Sequence, residues 1–188
     1  ELVEELADNV ELPVQVTIAS GFPKGDKLEF ITQKVTELGA SQIWAFPADW
    51  SVAKWDGKKL GKKVEKLEKI ALGAAEQSKR NLVPSIILFE KKADFLAQLE
   101  QFDRIVVAYE ESAKEGEATA LLQSLTGLEA GSKLLFIFGP EGGLSPAEIE
   151  SFTAKGAVLA GLGPRILRAE TAPLYALSAV SVVTELMN

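Results

Sequence analysis

The chain has 188 residues, of which 47% are hydrophobic, and this length and composition fit one medium-sized domain with a substantial core. It contains no cysteine and no histidine, which excludes disulfides, thiolate metal sites and the usual forms of serine-triad, cysteine–histidine and zinc catalysis. No apolar run is long enough to cross a bilayer and no signal peptide is recognisable. We therefore expect a cytoplasmic protein that binds neither membrane nor metal.

The net charge of −7 is unevenly distributed along the chain. Residues 1–11 carry five acids and no base, whereas residues 54–69 carry seven lysines against three acids. On composition alone, such a lysine run is more typical of a solvated helix face than of a nucleic-acid surface. The negative total does not exclude RNA as a partner, because local charge matters more than the sum.

Short apolar runs alternate with helical patterns along the chain. The runs predict strands at 14–20, 43–47, 85–89, 104–109, 133–138 and 157–161. The periodicity predicts helices at 26–39, 58–80, 145–156 and from about 171 to the end. This alternation predicts an α/β domain with a mainly parallel sheet and helices on both faces. Residues 1–13 do not fit the pattern, and we expect them to be a linker or the remnant of an upstream domain, with the main domain at 14–188.

Two helix starts carry capping signals. Ser145 followed by Pro146 and Glu148 predicts a capping box with proline in the first turn. Asp26 and Glu29 have the same spacing at the first helix, and Gly39 predicts its end.

Ligands of open α/β sheets bind beyond the carboxyl ends of the strands, so three loops or helix ends are candidate sites. "GPEGG" (139–143) is either a nucleoside cradle or a tight strand-to-helix turn, and its glutamate disfavours a phosphate. "LGPRILRAETAP" (162–173) places two arginines between apolar elements, which favours a site over a capped surface loop. "EQSKR" (76–80) is by itself an ordinary polar helix end.

"FIFGPEGGLSPAEIE" and "LGPRILRAETAPLYALS" together strongly resemble the RsmE family, and "GFPKGDKLEFITQKVTELGA" and "AAEQSKR" resemble earlier blocks of the same family. The resemblance covers about residues 14–188. It implies a SPOUT methyltransferase domain with a C-terminal trefoil knot, an exception to the rule against threaded chains. It also implies transfer of a methyl group from S-adenosylmethionine to N3 of one uridine in 16S ribosomal RNA of the small subunit.

The family usually carries an N-terminal PUA-like domain, of which residues 1–13 would be the last piece. Where the family often has an arginine before a serine, this chain has Trp50 before Ser51. The family also forms homodimers, and the apolar final helix at 174–187 would suit either such an interface or a core.

The resemblance implies roles for particular residues. A cofactor would contact the two late loops, through Phe138, Gly139, Pro140, Glu141, Gly142, Gly143, Leu162, Gly163, Ile166, Leu167, Arg168 and Thr171. Arg168 would stabilise negative charge on the imide oxygens, since arginine remains protonated. Glu170 or Glu141 would act as the base or orient an arginine. RNA phosphates would contact basic residues, namely Lys62, Lys63, Lys66, Arg80 and Arg165.

Two alternatives remain open on the sequence. One is a SPOUT methyltransferase that acts on another ribosomal or transfer RNA base, and the other is a non-catalytic RNA-binding module with the same fold. The two intact late loops disfavour the module.

Overall fold

A six-stranded sheet forms the centre of the domain in a computed structural model, which describes residues 9–111 and 119–187. The strands are β1 Gln15–Gly21, β2 Gln42–Phe46, β3 Ser85–Leu88, β4 Arg104–Ala108, β5 Lys133–Phe138 and β6 Val158–Ala160. The helices are α1 Lys27–Glu37, α2 Gly57–Gln77, α3 Lys92–Ala97, α4 Ala120–Leu125, α5 Pro146–Ala154 and α6 Ala172–Ser181. A 3₁₀ turn at Leu99–Gln101 follows α3, and a π-helical turn at Val182–Leu186 follows α6.

The strand order is β3-β2-β1-β5-β4-β6, and every neighbouring pair is parallel. Ile18 of β1 lies opposite Ile43 of β2 on one side and Phe136 of β5 on the other. The first three strands therefore extend the sheet from β1 through β2 to β3, and the last three, β4 to β6, lie on the other side of β1. That reversal between β1 and β5 is a switch point, where parallel sheets open a crevice at their carboxyl edge.

Side chains of β5 alternate between two hydrophobic clusters because successive residues of a strand point to opposite faces. Leu134 and Phe136 belong to the cluster covered by α1, α2, α4 and α6. Leu135 and Ile137 belong to the cluster covered by α3 and α5. This arrangement confirms the prediction of an α/β domain with a parallel sheet and helices on both faces.

The predicted element ends differ from the observed ends by a few residues. The short helices α3 and α4 were not predicted, the last α-helix stops at Ser181 before a π-helical turn, and α2 stops at Gln77 and not at residue 80. Lys79 adopts a φ of 60°, and the Arg80 N–H returns to the Ala75 carbonyl over 2.9 Å. This left-handed closing turn satisfies the last carbonyls of the helix and ends it.

The two predicted capping boxes have different outcomes. The box at Ser145 and Glu148 is present, with Pro146 as the first helical residue. The box at Asp26 and Glu29 is wrong, because the Asp26 side chain makes no cap hydrogen bond and Glu29 instead pairs with Lys66 on α2, 3.3 Å away. A tertiary ion pair has replaced the local bond that the spacing suggested.

Packing against the domain begins before the predicted boundary at residue 14. Leu12 lies against Gly39, whose φ is +104° and where an added Cβ would approach Leu12 Cγ to 2.8 Å. Glu11 forms an ion pair with Arg80. Residues 1–8 lie outside the described part of the chain, and in the described part no helix is long and apolar enough to cross a bilayer.

Candidate active site

A cavity of about 660 Å³ opens at the carboxyl edge of the sheet, at the ends of β4, β5 and β6. Its volume is typical of sites for small ligands. Loop residues after these three strands line it, together with Lys27, Trp50, Pro146 and Ala172. Eleven of the twelve predicted cofactor contacts lie in this lining, and Thr171 does not. The exposed Thr171 begins α6 without a side-chain cap bond, so its predicted contact is not brought to the cavity.

The first wall is the loop between β5 and α5, and it requires its glycines. A Cβ on Gly139 would lie 2.9 Å from the backbone carbon of Gly143, and one on Gly142 would lie 3.2 Å from Trp50 Cβ. Gly143 has a φ of +79°, which disfavours any other residue. The Gly143 N–H donates to the Pro140 carbonyl over 2.9 Å. The loop is therefore a tight turn that also leaves space for a ligand against its backbone.

The second wall is the segment 162–170 between β6 and α6. Gly163 adopts a φ of +88° and lies against the Tyr175 hydroxyl. Leu162 and Leu167 are partly buried, whereas Ile166 is 77% exposed at the rim. The carbonyl of Arg168 accepts the N–H groups of Thr171 and Ala172, which joins this wall to the start of α6. The segment thus offers apolar side chains and a constrained backbone to a ligand.

Lys27, the first residue of α1, brings a cation to this cavity that sequence reasoning missed. Its Nζ lies 2.9 Å from Glu141 Oε1 in the first wall and 3.9 Å from Glu170 Oε2 in the second. The Lys24 N–H also donates to Glu141 Oε1 over 2.9 Å. The signal in the sequence was its place in "GFPKGDK", directly after β1 at the same edge of the sheet.

The contact between Lys27 and Glu141 shifts the pKa of both side chains. The hydrogen bond to Glu141 raises the pKa of Lys27, although burial opposes it. Partial burial works to raise the pKa of Glu141, but the bonds from Lys27 and from backbone N–H groups outweigh it and lower that pKa. Both groups are therefore charged at neutral pH, and Glu141 is a weak proton acceptor.

Glu170 differs from Glu141 in its hydrogen bonding. Its Oε2 atom is buried and has no hydrogen-bond partner among the described residues. Arg168 and Arg165 both line the same cavity with exposed side chains. Glu170 therefore keeps one carboxylate oxygen that no hydrogen bond from the described residues holds, in a cavity that two arginines also line.

Four polar residues hold the first wall from behind. The Glu148 side chain, 1% exposed, accepts the Asp49 and Ser145 N–H groups over 2.8 and 2.9 Å and pairs with Lys92 Nζ at 2.8 Å. Asp49 also contacts Lys92 and the Ser145 hydroxyl. Trp50 follows Asp49, and its Cβ and carbonyl oxygen lie next to Gly142. Sequence reasoning identified Ser145 and Glu148 as a cap but missed Asp49 and Lys92.

The predicted RNA-binding lysines lie on α2, away from its buried face of Leu60, Leu67 and Ala71. Lys62 is exposed, Lys63 lies 4.1 Å from the ring centre of Trp55, and Lys66 pairs with Glu29. A second cavity of about 600 Å³ lies between α1 and α2 and shares Lys27 and Glu170 with the first. Of these lysines, Lys66 reaches the edge of the second cavity through its ion pair with Glu29, which lines it.

Arg80 does not belong to that face, which corrects its predicted contact with RNA. Its side chain is only 3% exposed and pairs with Glu11. Its Nη1 donates to the carbonyls of Thr36 and Ala40, each at 2.8 Å. The guanidinium therefore closes the ends of α1 and α2 against the segment before β1. Helix position alone could not reveal this role, because the partners are distant in sequence.

The described residues contain no group of three or more acidic, histidine or cysteine side chains that could hold a metal ion. The chemistry that the cavity offers comes from carboxylates, cations and backbone groups. It can bind a mixed apolar and polar molecule and transfer a proton.

Comparison with known proteins supports an assignment of the family. A model described as an RNA methyltransferase domain matches residues 10–181. Ribosomal RNA small subunit methyltransferase E of Bacillus subtilis is 54% identical over 187 residues, covering 100% of this chain and 73% of the relative. The protein of that name from Mycobacterium tuberculosis is 33% identical over 176 residues, covering 90% of this chain and 63% of the relative.

A solved structure agrees with the sequence matches. The crystal structure of a ribosomal RNA small subunit methyltransferase E from Neisseria gonorrhoeae bound to S-adenosylmethionine has a TM-score of 0.76 and 27% identity. It covers 94% of this chain and 70% of that one. The chain therefore belongs to the RNA methyltransferase family and, within it, to the ribosomal RNA small subunit methyltransferase E (RsmE) family.

Proposed function

We propose that this protein transfers a methyl group from S-adenosylmethionine to small-subunit ribosomal RNA, at N3 of one uridine in 16S RNA. The observation that carries the proposal is the cavity at the carboxyl edge of the sheet, in which both family loops meet beside Lys27 and Arg168. Ribosomal RNA is the substrate that the relatives' names specify. Such a substrate would place the reaction in the cytoplasm.

The residues present fit this cofactor. Leu162, Ile166 and Leu167 offer apolar contacts to an adenine, and the glycine backbone of residues 139–143 allows close approach. Glu141 would repel a phosphate, but S-adenosylmethionine has none. When bound, the cofactor supplies an activated methyl group on a sulfonium, so positioning contributes much of the rate.

Glu170 is the base that we favour for the N3 proton of the uridine. Its Oε2 has no hydrogen-bond partner among the described residues, whereas Glu141 is held by Lys27 and by the Lys24 N–H. Because arginine side chains remain protonated in proteins, Arg168 would stabilise the imide oxygens as the proton leaves. In this proposal Glu170 removes the N3 proton and Arg168 stabilises the negative charge.

RNA would reach the site across α2. Lys62, Lys63 and Lys66 would contact phosphates, and Arg165 at the cavity would contact RNA near the target. The second cavity leads from Lys66 and Glu29 to Glu170, and we propose that the unstacked base approaches through it.

The chain path and the last helix support two further proposals. After the edge strand β6 the chain returns to α6, which packs on α1 and β5, and we propose that this return forms the C-terminal trefoil knot that the family resemblance implies. Tyr175 and Val182 are 40% and 44% exposed, and Leu186 and Met187 are more than 70% exposed. We propose that they form a homodimer interface, and light scattering should then give about twice the chain mass of 20.2 kDa.

The function is tested with under-methylated small ribosomal subunits. The subunits are incubated with the protein and S-adenosylmethionine, and the RNA is digested and analysed by mass spectrometry. We expect one new methyl group on uridine N3. A methyl group on another base would point to a different SPOUT activity. RNA binding without any methylation, and without stabilisation by S-adenosylmethionine, would point to a non-catalytic module.

A further inference from the structure

Lys27 contacts carboxylates from both walls of the cofactor cavity. Its Nζ lies 2.9 Å from Glu141 in the wall after β5 and 3.9 Å from Glu170 in the wall before α6. The three side chains are 23–29% exposed, so they are partly shielded from water. The contact is therefore less weakened by solvent than an exposed ion pair.

The sheet by itself does not set the distance between these walls. The first wall follows β5 and the second follows β6, and β4 lies between those strands. Both walls also contain glycines at positive φ, Gly143 and Gly163. Lys27 comes from α1, which follows β1 on the other side of β5. It thus links the two walls to a helix that is fixed in the core by Leu28, Ile31 and Val35.

Electrostatic repulsion between Glu141 and Glu170 also makes the separation of the two walls depend on Lys27. Without a cation between them, two carboxylates on opposite walls would repel each other and favour a wider cavity. Lys27 compensates both, and the hydrogen bond from Lys24 keeps Glu141 turned toward it.

We propose that Lys27 is a positioning residue that fixes the separation of the two walls and so sets the affinity for S-adenosylmethionine. The inference rests on the proposed function, because it names the same cofactor. It assigns Lys27 no part in proton transfer or methyl transfer.

The first test is the Lys27→Met variant, assayed for methylation of small subunits. We expect the KM for S-adenosylmethionine to rise roughly tenfold, because the cavity is no longer held ready for its ligand. Lys27→Arg should recover most of the affinity, since a guanidinium can also pair with two carboxylates.

The matched control is Lys34→Met on the same helix. Lys34 pairs with Glu37 over 3.4 Å on the helix surface and does not line the cavity. The Lys34→Met variant makes the same change of charge and shape as Lys27→Met, and we expect an unchanged KM for S-adenosylmethionine. An equal rise in KM for both variants would overturn the inference.

A second variant removes the same contact from the other side. Glu141→Gln should raise the same KM, and adding Lys27→Met to it should raise the KM little further, because coupled residues do not add. Fully multiplicative effects would refute the coupling, and this variant remains informative even when Lys27→Met folds poorly. If the wild-type protein binds no S-adenosylmethionine in calorimetry, the proposed function fails; if it binds and Lys27→Met binds equally well, only this inference fails.

Discussion

Replacing Lys92 with methionine should destabilise the whole domain, because Lys92 neutralises a carboxylate that has almost no contact with water. Glu148 is 1% exposed in its side chain, and Lys92 Nζ lies 2.8 Å from its Oε1. Methionine keeps the length of the side chain but removes the charge. Glu148 would then remain buried with only the Asp49 and Ser145 N–H groups as donors.

The magnitude follows from the cost of leaving a buried charge without its partner, which is about 3–5 kcal/mol. We take the lower end, about 3 kcal/mol, because Lys92 is 24% exposed and Glu148 keeps two backbone donors. For a chain of 188 residues each kcal/mol shifts the melting temperature by roughly 2–4 °C. We therefore expect the melting temperature to fall by roughly 6–12 °C.

Thermal unfolding followed by circular dichroism checks this value, with Lys155→Met as the control. Lys155 directly follows α5 and pairs with Glu100 over 2.9 Å, but it is 38% exposed and Glu100 is 78% exposed. Hydration and salt leave such a pair with little effect on stability. A melting temperature that fell equally in both variants would refute the argument from burial.

The other predictions concern the cavity, the RNA surface and pH. Arg168→Lys should lower kcat by roughly two to three orders of magnitude with RNA affinity unchanged, as measured by single-turnover methylation and filter binding. Neutralising Lys62, Lys63 or Lys66 should weaken RNA binding with little change in kcat. Each lost phosphate contact should reduce the slope of log binding constant against log salt concentration by about 0.7–0.9. Gly139→Ala should weaken S-adenosylmethionine binding in calorimetry, because the new Cβ would lie 2.9 Å from the Gly143 backbone. Bonds from Lys92 and Ser145 lower the pKa of Asp49, so its stabilisation is present above the ordinary aspartate pKa and is lost as pH falls through the folded-state value. Asp49→Asn should therefore show a shallower loss of melting temperature in acid.

Local pattern was sufficient to predict the fold class and most elements. The apolar runs located all six strands: β1, β2, β4 and β5 are mostly buried, and the edge strands β3 and β6 are partly buried but still carry apolar runs. The Ser145 capping box was also predictable, because its bonds join residues three apart. The two walls of the cavity were predicted from their glycines and arginines and from the family resemblance.

The errors concern side chains whose partners are distant in sequence. The Asp26 and Glu29 spacing was right for a cap, but Lys66 on α2 competes for Glu29. Arg80 had the position of a helix-end cation, but Glu11 and two carbonyls of the α1 end bury it. Periodicity describes one element at a time, so it carries no information about these tertiary pairs.

Lys27 and Lys92, the two cations that sequence reasoning missed, act on the same loop from opposite faces of the sheet. Lys27 belongs to α1 in one hydrophobic layer and holds Glu141, whereas Lys92 belongs to α3 in the other layer and holds Glu148. The loop between those acids contains Gly142 and Gly143, whose backbone freedom would otherwise cost ordering entropy on binding. Glycines give the loop its shape, and the two lysines restrict it to that shape before a ligand arrives. For this reason Lys92→Met should mainly lower the melting temperature and, to a smaller extent, the affinity for the cofactor. Lys27→Met should lower the affinity for the cofactor with little effect on the melting temperature.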